Sequence, residues 1–164
     1  MRRNILPQKE PKLKGRKIIP VCEPLIEGNE EKYVINCIKS NWISSAGHYV
    51  TKFEEKFAAA CRARYGVTCS SGTSALHMAL AAINIDKGDE VIIPTFTMVS
   101  TAFAVTYTGA KIILVDSELK TWNIDCSQIE KKITKRTKAI IPVHTYGHPA
   151  DMDNILKIAR RHRL

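Results

Sequence analysis

The sequence predicts an α/β fold with a parallel-rich sheet between helices, and three observations carry that expectation. Short, continuous apolar runs recur along the chain: EVIIP at 90–94, KIILVD at 111–116 and TKAIIPVH at 137–144. Stretches with helical spacing separate them, and turn residues close each run. Continuous runs, unlike alternating ones, belong to strands covered on both faces, which is the condition of a parallel sheet built from βαβ units. With 164 residues, of which 45% are hydrophobic and 25% charged, the chain can bury one real core.

The elements follow in order. Residues 1–17 read as a basic flexible arm, because Pro7, Pro11 and Gly15 interrupt any helix and the apolar residues have no period. Asn29 is the expected cap of a helix to about Asn41, with Val34, Ile35 and Ile38 on one face. Thr51 and Glu54 have the spacing of a capping box for a second helix, which Phe53, Phe57 and Cys61 continue and Gly66 would end. VTCSS (67–71) reads as a strand and TSALHMALAAI (73–83) as a helix. A helix over 97–109 separates the runs at 90–94 and 111–116, and Asp125 caps a short helix to Ile133. After the run at 137–144, Asp151 caps a last helix. That helix shows no C-cap and no following strand, so the domain is expected to be incomplete at its C-terminus.

Charge and cysteine content narrow the function classes. The net charge of +9 resolves into +6 over 1–17, −3 over 18–129 and +6 over 130–164. Basicity confined to the ends suits a solvated arm and a basic helix better than a nucleic-acid-binding core, so no nucleic-acid partner is expected. No apolar run approaches the roughly 20 residues of a membrane-spanning helix, and no apolar segment follows the basic start as in a secretory signal. Cys22, Cys37, Cys61, Cys69 and Cys126 form no CxxC pair. Reduced thiols in a cytoplasmic protein are the expectation.

Chemistry in such a fold sits beyond the carboxyl ends of the strands. Ser71, Gly72, Thr73 and Ser74 stand at a helix start, where free N–H groups and hydroxyls make a phosphate cradle. They match neither GxGxxG nor GxxxxGK[ST], so a dinucleotide or Walker-type nucleotide is not expected. Thr97 is a candidate N-cap, and Phe96 or Met98 could lie against a flat ring or simply pack in the core. His144 and His148 lie four apart in a loop broken by Gly147 and Pro149, with no thiolate beside them, so no metal site is expected. Asp116 reads as a loop cap. The Ser/Gly loop WISSAGHYV (42–50) connects two helices and offers hydroxyls to a sugar or phosphate.

Taken together, WISSAG and KFEEKFA (42–58), CSSGTSALHMALAAINIDKGDEVIIPTFTMVST (69–101), GAKIILVD (109–116) and TKAIIPVHTYGHPADMD (137–153) resemble the DegT/StrS group of PLP-dependent nucleotide-sugar aminotransferases. The resemblance implies PLP fold type I, aspartate aminotransferase-like, with residues 18–164 forming the N-terminal part of the large domain. It implies pyridoxal 5'-phosphate as cofactor, held by Gly72 and Thr73 with Ser71 or Ser74. Met98 would stand where many relatives place an aromatic against the pyridine ring. His144 and Tyr146 would face cofactor or sugar, and Ser44, Ser45 and Gly47 would border a substrate pocket at a homodimer interface.

The activity implied is transfer of an amino group from glutamate to a nucleotide-linked keto sugar, of the GDP-4-keto-6-deoxyhexose kind. The Schiff-base lysine and the aspartate that meets the pyridine nitrogen would belong beyond residue 164, since Lys157 matches neither role. A chain ending at Leu164 is therefore expected to be inactive alone. The alternatives are a related PLP enzyme acting on another keto sugar, including the dehydratase branch with histidine for lysine, then a non-catalytic remnant or partner-dependent subunit, and last a nucleic-acid-associated protein using the basic arm.

Overall fold

A computed structural model describes residues 19–164, so the arm expected at 1–17 lies outside the described residues. The described residues divide into two units, the first ending at Lys52 and the second spanning Phe53–Leu164. In the first unit, α1 spans Glu30–Lys39 and a loop leads to α2, His48–Ala60, which runs across the division. Asn29 precedes α1 without a side-chain cap, because its φ of −101° and ψ of 12° are not the extended conformation a cap requires. The Glu30 carboxylate accepts the Gly28 N–H instead, at 2.8 Å.

The start and end of α2 both differ from expectation. The helix begins at His48, and the amides of Val50 and Thr51 donate to Gly47 O, so Thr51 lies within the first turn and no capping box forms. Its C-terminus closes at Ala60 through Arg62, in the left-handed region at φ 53°, with Ala63 N–H donating to Ala58 O at 2.8 Å. Gly66 serves a different purpose: a Cβ there would lie 2.6 Å from the Glu54 carbonyl oxygen. The Glu54 carboxylate in turn accepts from the Thr68 amide (2.8 Å) and hydroxyl (2.9 Å). Residues 67–71 thus run along α2 as an irregular segment, and the expected strand is absent. Among the described residues no strand pairs with it, and Val67 is 70% exposed.

The remaining elements are α3 (Gly72–Ala82), β1 (Glu90–Pro94), α4 (Val99–Tyr107), β2 (Lys111–Val115), α5 (Cys126–Lys132), β3 (Thr137–Ile140), a single 3-10 turn (Thr145–Gly147) and α6 (Met152–His162). Among the described residues the strands form one parallel sheet in the order β2-β1-β3. The central strand explains the layers. Val91 and Ile93 pack with Leu80, Ile85, Ala104 and Val105 on the α3/α4 face. Ile92 packs on the other face with Val115, Ile124, Ile129 and Ile155, beneath α5 and α6.

β3 is shorter than the apolar run at 137–144, for a backbone reason. Even-numbered residues of β1 bond toward β3: Glu90 N–H donates to Arg136 O, and Ile92 O accepts from Ile141 N–H at 2.8 Å. The next rung needs an N–H at position 94, and Pro94 has none. The chain after Ile141 is therefore released from the sheet.

Two further caps complete the unit. Asp125 and Asp151 cap α5 and α6 as expected, accepting from Ser127 N–H and Asn154 N–H. The end of α6 is also capped, against expectation. Arg163 adopts φ 58°, and Leu164 N–H reaches Ala159 O at 2.9 Å. Arg161 and His162 of α6 both meet the Glu130 carboxylate, at 2.8 and 3.0 Å, so part of the terminal basicity is structural.

Glu90 is 2% exposed at the start of β1. Thr134 donates its hydroxyl to one carboxylate oxygen at 2.5 Å, and Arg136 its guanidinium to the other at 2.8 Å. The Thr134 bond first, and then Arg136, hold the carboxyl below its ordinary value against the opposing effect of burial. Its contribution is complete above the unfolded carboxylate value of about 4.3 and drains as pH falls through the lower folded value. Urea unfolding of Glu90→Gln is expected to show lower stability at neutral pH and a flatter loss on acidification than the unmodified protein.

Candidate functional site

The start of α3 is capped by its own serines. Ser71 is extended, and its hydroxyl accepts the Ser74 N–H at 3.2 Å while lying 3.1 Å from the Ser74 hydroxyl. Both hydroxyls are thereby engaged. The amides of Gly72 and Thr73 have no acceptor among the described residues, as expected of a first helical turn. Gly72 has no positive φ, and a Cβ there would meet nothing within 4 Å. The fold does not need glycine at this position.

Beyond the carboxyl ends of β1 and β3 lies a cavity of about 290 Å³, lined by Phe96, Thr97, Met98, Val143, His144, Thr145 and Tyr146. The structure brings Met98, His144 and Tyr146 together here, while Ser71–Ser74 do not line it. Thr97 is not the cap of α4. That position falls to Met98, and the Thr97 hydroxyl meets the Thr101 hydroxyl at 2.9 Å. Asp116 accepts the Thr95 hydroxyl at 3.1 Å, tying the ends of β2 and β1 beside the cavity.

Asn123, which no spacing pattern singled out, shapes the far wall. It is 3% exposed, and its carboxamide takes the Thr145 N–H (2.9 Å) and donates to the carbonyls of His148 and Pro149 (3.1 Å each). These partners lie 22 to 26 residues away, which is why local sequence reasoning misses them. The clamp helps hold Tyr146 at φ 49° and ψ 31°, a costly conformation for a bulky residue. Tyr146 is left 84% exposed, its ring 6.4 Å from that of Phe96, which also meets Trp122 at 5.6 Å.

In the first unit, Asn36, Trp42, Ser44, Gly47, His48 and Tyr49 help line a smaller cavity of about 220 Å³. Ser45 does not line it. Ser44 is partly committed, its hydroxyl bonded to the Ala46 backbone. Burial first, and then Asp151 and Asp125, push the Cys126 thiol above the ordinary range, which disfavours its thiolate. Among the described residues no three His, Cys, Asp or Glu side chains group as a metal site, and no helix is long and apolar enough to cross a membrane.

Comparison with known proteins matches residues 24–164 to the model of the DegT/DnrJ/EryC1/StrS aminotransferase family. The chain belongs to that family. GDP-perosamine synthase of Escherichia coli O157:H7 is 51% identical over 148 residues, covering 90% of this chain and 41% of that protein. The enzyme of the same name from Caulobacter vibrioides is 49% identical, with 89% and 39% covered. A sugar aminotransferase of Streptococcus pneumoniae, solved in its PLP form, superposes with a TM-score of 0.82 at 30% identity, over 88% of this chain and 37% of that one. This DegT/DnrJ/EryC1/StrS chain thus spans about two fifths of the length of the curated relatives it matches.

Asn123→Ala leaves three backbone groups of the family member's cavity wall without partners. The variant is expected to lose about 1–3 kcal/mol of unfolding free energy, and amide exchange should quicken selectively at Thr145.

Proposed function

We propose that residues 18–164 form the N-terminal part of the cofactor domain of a PLP-dependent aminotransferase, acting with glutamate on a GDP-linked 4-keto-6-deoxy sugar. The observation that carries this reading is the cavity at the ends of β1 and β3, set in a chain that the sugar-aminotransferase family matches over residues 24–164. The GDP-perosamine synthases among its relatives, at 40–51% identity, favour the GDP-linked sugar.

The residues present fit the cofactor. When bound, pyridoxal phosphate supplies the electron sink through which an amino group passes between donor and acceptor. The Gly72 and Thr73 amides would hold its phosphate, with the helix dipole behind them. Met98, 74% exposed, and Phe96, 41% exposed, offer a thioether and an aromatic face to the ring. His144 and Tyr146 complete the wall, and Ser44, Ser45 and Gly47 would border a substrate pocket at a homodimer interface. The Schiff-base lysine lies, in this reading, outside residues 1–164. A homodimer and a cytoplasmic setting complete the proposal. The exposed, stacked Phe103 and Tyr107 of α4 support a second copy as cover, and five free cysteines support a reducing compartment.

The test uses the full-length protein, its intact mass measured first. Bound-cofactor absorbance and formation of the amino sugar from glutamate and GDP-4-keto-6-deoxyhexose are expected, and a protein that binds no pyridoxal phosphate refutes the reading. Gly72→Ala is expected to leave thermal stability unreduced, because the added methyl meets open space, while weakening pyridoxal phosphate binding about tenfold by crowding the phosphate.

A further inference from the structure

We infer that His144 is held as its Nε2–H tautomer and serves the cavity as a hydrogen-bond donor to an acceptor oxygen of the ligand. The inference rests on the aminotransferase reading for the ligand's identity, and on this chain's geometry for the rest. The Ala150 N–H donates to His144 Nδ1 at 2.9 Å. A backbone amide can only donate, so Nδ1 holds a lone pair, and the proton of the neutral ring sits on Nε2. Ala150 is 5% exposed, so losing this bond would strand a buried amide. The hydrogen of the neutral ring is therefore on Nε2.

The segment between His144 and Ala150 is held independently. Asn123 takes the amide of Thr145 and donates to the carbonyls of His148 and Pro149. The amides of Gly147 and His148 close back on the carbonyls of His144 and Thr145, at 3.0 Å each. The ring lines the cavity with Phe96, Met98 and Tyr146, and Nε2 has no partner among the described residues. A donor fixed this way selects an oxygen acceptor, which two sources can offer: the ring hydroxyl oxygen of the cofactor, or the carboxylate of the amino donor.

The full-length protein labelled with ¹⁵N-histidine reads the tautomer directly at neutral pH, from the shifts of the two imidazole nitrogens and their couplings to the ring protons. A protonated Nε2 and an unprotonated Nδ1 are expected for His144. His144→Asn keeps an acceptor near Nδ1 for the Ala150 amide but loses the donor, whereas His144→Gln keeps a donor near Nε2. Binding of pyridoxal phosphate, its 3-deoxy analogue and glutamate is then compared across the three proteins.

His144→Asn should weaken one ligand about tenfold, and His144→Gln should weaken it less. Loss confined to pyridoxal phosphate, with the 3-deoxy analogue unchanged, identifies the ring oxygen; loss confined to glutamate identifies the carboxylate. A proton on Nδ1, or His144→Asn binding every probe as tightly as the unmodified protein, overturns the inference. Failure of the unmodified protein to bind any probe defeats the aminotransferase reading and the donor role together, while the nitrogen shifts still decide the tautomer.

Discussion

The burial of β1 on both faces is the constraint on which the second unit depends. Val91 and Ile92 are 0% exposed and Ile93 is 1%, and each such side chain contributes about 1.5–3 kcal/mol relative to exposure. No single helix layer can cover both faces of a strand. The pair α3 and α4 must therefore lie on one face, with α5 and α6 on the other, and the connections between them become parallel crossovers. Once β1 is central, its carboxyl end delivers Thr95–Met98 to one place. Pro94 then decides where β3 lets go, so that residues 143–146 arrive opposite.

The site is thus made by the way the strands end. The sheet supplies position, and the loops beyond it line the cavity, where open parallel sheets commonly bind ligands. Those loops are fastened by side chains: Asp116 holds Thr95, Asn123 holds Thr145, and the ring nitrogen of His144 holds the Ala150 amide. A loop carrying a residue in the left-handed region would otherwise relax, and here its hydrogen bonds oppose that relaxation. The result is a preformed wall around a cavity, which lowers the ordering cost when a ligand enters.

The approach to α3 follows the same logic on a smaller scale. Glu54 and the missing side chain of Gly66 let residues 66–68 run against α2, directly before the Ser71 cap. Glu54 looks in the sequence like half of a capping box, yet its carboxylate serves a segment fourteen residues away. Local spacing identified a polar residue with a job to do, but the partner was set by packing.

The sequence by itself determined the fold class, the parallel pairing and the bounds of β1, because a fully buried strand leaves an unbroken apolar run; β2, which is not fully buried, ends at Val115, one residue short of its run. It also determined the caps at Asp125 and Asp151, where acceptor and amide are two or three residues apart. The Ser71 hydroxyl meets the Ser74 amide over the same short range. Only the tertiary structure decided that residues 67–71 are no strand, since a strand exists through its ladder partner and not through its own residues. It alone released the chain after Ile141, by denying one rung at Pro94. It alone drew Met98, His144 and Tyr146 to one cavity and gave Asn123 its three partners, for contacts of that range are written in the packing of the sheet and not in any local pattern.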